Sequence, residues 1–175
     1  MNILKEHLVF CFPALQKSEM VINPSKNSGY EKEICNILGM DCVDNRYMDA
    51  TWDKILYPIE LKKGNVWVNA IRIAEQSLET PFQEVLWIYF NINKHHKRID
   101  EIICFKLSDF IKLIGLDDVD QANAIISSYK FATSRGCGNN NQWSVNPSQI
   151  RDIAQFTIEH PDYSPRKRRV EVTLS

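Results

Sequence analysis

The sequence predicts an α/β domain: a central mixed β-sheet flanked by helices. Three observations lead there. Val85-Leu86-Trp87-Ile88-Tyr89-Phe90-Asn91-Ile92 is short, continuous and rich in β-formers, as expected of a strand buried on both faces. Segments with helical spacing of apolar residues lie on either side of it. No internal repeat, low-complexity stretch or long linker divides the 175 residues, which fit a single domain, 1–175, able to bury a core without metals or disulfides.

The elements follow in order. Leu4, Leu8, Phe12 and Leu15 recur at helical spacing, and Pro13 should interrupt or bend that helix. Asn23 to Gly29 is rich in turn formers. A second helix follows, with apolar face Tyr30, Ile34, Ile37 and Leu38, a stop at Gly39, and Glu31 and Glu33 in its first turn, where negative charge suits the helix dipole. Tyr47 to Trp52 reads as a strand, Asp53-Lys54 as a tight turn and Ile55 to Lys62 as the return strand, closed by Lys63-Gly64-Asn65. Pro58 cannot donate a ladder hydrogen bond, so this part of the strand is expected at an edge or a bulge. Val66 to Leu78 has helical spacing, and Ile99 to Lys106 is a further strand beyond the turn 93–98. Ser108-Asp109 is the expected cap of a helix over Phe110 to Ile114, and Ala122 to Tyr129 reads as helix. A Gly/Asn loop, 135–142, leads to the short segment Trp143 to Val145, and Pro147-Ser148 opens a helix expected to reach Phe156.

Composition narrows the function classes. With 44% apolar and 25% charged residues the chain has the balance of a water-soluble globular protein, and no apolar run approaches the roughly 18 to 20 residues of a membrane span. The N-terminus does not read as a signal peptide, and a cytoplasmic location is expected. Five widely spaced cysteines, none in CxxC spacing, suit incidental thiols in a reducing compartment better than a zinc site. There is no P-loop and no GxGxxG, and His7 and His160 have no partner motif. A net charge of −1 does not argue for nucleic acid, yet clustered carboxylates lower the charge of a protein even when its rim is basic.

The chemistry is concentrated in Asp49-Ala50 … Ile59-Glu60-Leu61-Lys62. Phosphodiester hydrolysis needs the charge on phosphorus neutralised, water activated and the leaving oxygen stabilised. Magnesium held by hard carboxylate oxygens, with open positions, meets these needs. Strand alternation sends Ile59 and Leu61 to one face and Glu60 and Lys62 to the other, while a hairpin can return Asp49 beside Glu60. A lysine there can position or deprotonate water, or neutralise developing charge. Glu60-Leu61-Lys62 is the only Asp/Glu-x-Lys in the chain. The reading requires both carboxylates to face one spot and neither to be packed away from solvent.

These residues resemble the PD-(D/E)xK motif of nucleases, especially as type II restriction endonucleases carry it. The resemblance implies a restriction-endonuclease-like fold, with Asp49, Glu60 and the Leu61 carbonyl as ligands of Mg2+ and Lys62 acting on the attacking water. Asp53 is a competing aspartate, but it lies too near the turn. The family places an acidic helix before the first strand; Glu31 is the better match and Glu33 the second. Residues 66–78, 85–92 and 99–106 match the helix, strand and strand that follow, so the resemblance covers about residues 28–107. It departs at the proline, where Met48 stands. It implies cleavage of double-stranded DNA, most specifically by a homodimeric type II restriction endonuclease. The alternatives are a repair, junction-resolving or phage nuclease of the same superfamily, or a non-catalytic DNA-binding module with that fold.

Further DNA-contact candidates lie outside the motif. Arg135, Asn139, Asn140, Asn141 and Gln142 form a glycine-containing loop whose side-chain types can read base edges. His95, His96, Lys97 and Arg98 form a basic turn, and Arg166 to Arg169 a basic run better read as a solvated tail. Residues 130–175 are thus candidate DNA-recognition and dimer elements. Lys63 and Arg72 fall near the motif, where phosphate contacts and plain solvation are equally good readings.

Overall fold

The computed structural model describes residues 1–26, 28–43, 45, 47–64, 66–134 and 142–165. Helices α1 (Asn2–Lys17), α2 (Glu19–Ile22) and α3 (Tyr30–Leu38) come first, followed by strands β1 (Asp41–Cys42), β2 (Ala50–Thr51), β3 (Ile59–Lys63) and β4 (Val66–Asn69). Helix α4 (Ala70–Leu78), strands β5 (Leu86–Asn93) and β6 (Arg98–Lys106) and helices α5 (Leu107–Leu113) and α6 (Val119–Ser134) complete the middle. The last described elements are β7 (Gln142–Val145), α7 (Pro147–Arg151) and β8 (Ala154–Glu159). Six strands form a sheet in the order β1-β2-β3-β5-β6-β8, and β4 pairs with β7 in a separate ribbon. Within the six-stranded sheet β3 and β5 run parallel and the other pairs antiparallel, so the sheet is mixed and the α/β class holds.

Strand alternation sorts the core into two layers. Ile59, Leu61, Leu86, Ile88 and Phe90 point to one face, where Leu4, Leu8 and Leu15 of α1 and Ile34 and Leu38 of α3 cover them. Trp87 and Tyr89 point to the other, packing with Ile73 and Ala74 of α4 and Phe110 of α5. Glu60 and Lys62 therefore belong to the layer beneath α4, because Glu60 is in register with Trp87 and Lys62 with Tyr89.

Several boundaries differ from the sequence reading. Helix α1 continues through Pro13 to Lys17. β2 keeps only Ala50 and Thr51, and residues 52–58 form a wider connection than a tight hairpin turn. Pro58 precedes β3, which lies inside the sheet with β2 on one side and β5 on the other, and not at an edge. Val66 to Asn69 is strand, not helix, because β7 offers it a ladder partner, and the Asn69 side chain accepts from the Ile71 and Arg72 amides to start α4. Helix α5 begins before Ser108, whose amide and hydroxyl are taken by Glu84. The helix opened by Pro147 stops at Arg151; Phe156 sits in β8, where pairing with Cys104 of β6 outweighs local helix propensity. Gly39 ends α3 in the left-handed region, at φ 60°, as the sequence implied.

Candidate active site

The site begins with a gap in the sheet. β2 reaches only as far as Ala50 opposite Ile59, so no strand meets the outward amide and carbonyl of Leu61. Side chains fill the place of that strand. Asp49 Oδ2 accepts from the Leu61 amide at 2.7 Å, and the Tyr30 hydroxyl donates to the Leu61 carbonyl at 3.3 Å. The Asp49 amide in turn donates to Ile59 at 2.8 Å, fixing the aspartate's backbone against β3. Residues 49 and 61 are thus brought together as expected, through a side-chain continuation of the ladder.

Electrostatics define the cluster. Burial and then the charge of Glu60 push the Asp49 carboxyl up to about 6, against a smaller opposing pull from Lys62 and the Leu61 amide; Glu31 adds a further push upward. The Tyr30 hydroxyl is also pushed up, by burial first and then by Glu31, Asp49 and Glu60. The charges of Glu31 and Glu60 thus both act on Asp49 and Tyr30, the two side chains that meet the Leu61 backbone. Glu31 and Asp49 share an open cleft of about 710 Å3 with Gly29, Lys32, Asn36, Cys42 and Val43. Glu33 is directed elsewhere, accepting from the Ser18 hydroxyl, which leaves Glu31 as the helix acid at this cleft. Asp53 is exposed in the connection before β3.

Glu60 and Lys62 share a face, as strand alternation requires, and they pair at 2.5 Å. The second requirement placed on the acids is not met: Glu60 is packed away from solvent. Glu60 is only 1% exposed, and its Oε1 also takes the Nη2 of Arg72 at 2.6 Å. The cause is α4, whose first turn carries Arg72 directly over this part of β3. Two cations on one carboxylate offset the desolvation of the acid, and both occupy its Oε1. Among the described residues no three His, Cys, Asp or Glu side chains gather closely enough to hold an ion by themselves. The oxygen donors available are Asp49, Glu60 and the Leu61 carbonyl, a hard set suited chemically to magnesium. Lys62 lies over the Trp87 ring, 5.6 Å from its centroid, which steadies the ammonium from below.

Other sequence candidates are not brought to this point. Lys63 donates to the Met20 and Asn23 carbonyls at 2.7 and 2.9 Å and lies over Tyr30, so it anchors a loop and does not face a phosphate. The turn with exposed His95, His96 and Lys97 lies past the end of β5, about seven residues and roughly 20 Å along the strand from the level of Glu60. Arg98 is tied to Asp100 at 2.7 Å and, with His96, borders a separate cleft of about 720 Å3. The Gln142 backbone pairs with Asn69, while Arg135, Asn139, Asn140, Asn141 and the run 166–169 lie outside the described residues.

Sequence reasoning placed Arg72 near the motif but not in a pair with Glu60, and it missed the hydroxyl on Leu61. Arg72 is twelve residues from Glu60 with an intervening strand, so only the fold joins them; Tyr30 was read as an apolar contact of its helix, and its polar end has no sequence signal. No protein-family model matches this chain, and no curated protein matches it.

Proposed function

We propose that the chain is a magnesium-dependent endonuclease of double-stranded DNA, most specifically a type II restriction endonuclease acting as a homodimer. The observation that supports this reading is the hydrogen bond that brings Asp49 to the Leu61 amide, beside Glu60 and Lys62, which share one face of β3. Asp49, Glu60 and the Leu61 carbonyl would hold the ion. When bound, magnesium would polarise the phosphate and make water a better nucleophile. Glu31 adds negative charge on the cleft wall. Lys62, one residue from the ligand carbonyl, supplies a positive charge that orients water or offsets charge developing on the phosphate. The restriction assignment and the dimer follow from the resemblance of the motif and its surrounding order of elements, since one two-fold pair offers one site to each strand of a palindrome.

A second reading has its own support. A carboxylate 1% exposed and held by two cations is stable without any ion, which suits a DNA-binding module that has kept the fold and lost the reaction. Incubating the protein with magnesium and varied duplex, branched and single-stranded DNA, then sequencing the ends, separates the readings. Cuts at one duplex sequence support restriction; cuts at branches or at random sites move the assignment to a repair, junction-resolving or phage type. Uncut DNA in every case rejects the enzyme. Asp49→Ala and Lys62→Ala should each abolish cutting while DNA binding persists, and wild-type rates in either would reject these roles.

A further inference from the structure

Arg72 makes contacts that compete with an ion for Glu60. It rests on α4 with its amide capped by Asn69 at 3.1 Å, so its backbone is held. Its Nη2 closes on Glu60 Oε1 at 2.6 Å, yet its Nε is buried and finds no hydrogen-bond acceptor. A guanidinium fits two acceptor oxygens in a fork, as a carboxylate or a phosphate can present them. Among the described residues it has a single oxygen, which it shares with Lys62, and its Nε is left over. About a quarter of its side chain is exposed, at 26%.

Without an ion, Lys62 and Arg72 neutralise Glu60 and part of the charge of Asp49 and Glu31. A divalent cation reaching Glu60 and Asp49 would turn the net charge of the cluster positive and compete with Arg72 for the Glu60 carboxylate, so an arriving anion or withdrawal of Arg72 would favour that state. A phosphodiester is such an anion, and it would give the freed guanidinium the second oxygen that it lacks in the present pairing.

Resting on the nuclease reading above, we propose that Arg72 is a latch that couples metal to substrate: it blocks Glu60 when DNA is absent and transfers to the phosphate of DNA when the ion binds. Arg72 is then a positioning residue whose effect on metal affinity is opposite to its effect on DNA affinity. A residue that merely supported the fold would not produce opposite signs.

The test is a calorimetric titration of Mn2+ into the DNA-free protein, for wild type and for Arg72→Gln, which keeps the length and loses the charge. The variant should bind Mn2+ roughly tenfold more tightly, within the usual range of coupling between sites. Its DNA affinity, measured with Ca2+ present, should fall by about the same factor. Arg72→Lys, which keeps the charge without the fork, should lie between the two and covers the case in which the glutamine variant fails to fold. If wild type and folded variants bind Mn2+ equally well, or the variants bind it more weakly, the latch is overturned while the nuclease reading stands. If neither wild type nor variant takes up Mn2+, the nuclease reading and the latch fall together.

Discussion

Replacing Asp49 with asparagine should make the fold more stable at about pH 8 and leave it almost unchanged near pH 4. The carboxyl is pushed from 3.8 up to about 6 by burial and by Glu60. An acid raised in the folded state keeps its proton between those values while the unfolded chain loses it. The stability associated with the protonated form is therefore fully present below the unfolded value and is lost as pH rises through about 6. Above that, the folded protein holds a carboxylate where it costs free energy. The rise from 3.8 to about 6 corresponds to roughly 3 kcal/mol at most, and coupling to Glu60 and opening onto the cleft reduce it to about 1 to 3 kcal/mol. Asparagine keeps an oxygen to accept the Leu61 amide and removes only the charge. For a chain of this size the gain at about pH 8 is a rise in Tm of roughly 3 to 10 °C. About half of it should remain near pH 5, where the folded wild type is largely protonated and the unfolded chain is not. Thermal unfolding of both proteins between about pH 4 and 8 measures this, and titrations of other groups cancel in the difference. Equal pH dependence in the two proteins, or a variant less stable at about pH 8, would refute the raised carboxyl of a buried Asp49. Added Mg2+ should raise the Tm of the wild type and not of the variant, since only the wild type presents both carboxylates.

Two further substitutions separate support of the fold from chemistry. Arg151→Ala would leave Glu101, which is 0% exposed and held by Arg151 Nε and Nη2, buried without its cation; urea unfolding should show a loss of about 3 to 5 kcal/mol. The folded fraction should cut DNA at the wild-type rate, because this pair lies across β6 and not at β3. Asn69→Ala removes the acceptor for the Ile71 and Arg72 amides and should cost about 1 kcal/mol in the same assay. Together with the loss of cutting in Asp49→Ala and Lys62→Ala and the opposed affinities of Arg72→Gln, these outcomes test the site from independent directions.

The legible parts of the chain were those with a strong period. The alternation of β3 and the continuous run of β5 put Glu60 and Lys62 together and marked the sheet's centre, because a strand's two faces follow from its backbone geometry alone. Gly39 and the acidic start of α3 were readable because the helix ends depend on local hydrogen bonding. The errors fell where a distant partner decided. Val66 to Asn69 became strand through β7, and the residues around Phe156 became strand through β6. Ser108 lost its expected capping role to Glu84, twenty-four residues away. Local propensity is worth tenths of a kcal/mol per residue, and a ladder of hydrogen bonds with burial exceeds it.

The sequence by itself determined which residue types could do chemistry and which side of their strand they share, since both depend on covalent structure and a period of two. Only the tertiary structure decided their state. The short β2 left Leu61 to be met by Asp49 and Tyr30, and the approach of α4 closed Arg72 onto Glu60. Those contacts join residues far apart along the chain, and their strength depends on the low-dielectric layer that packing creates around them.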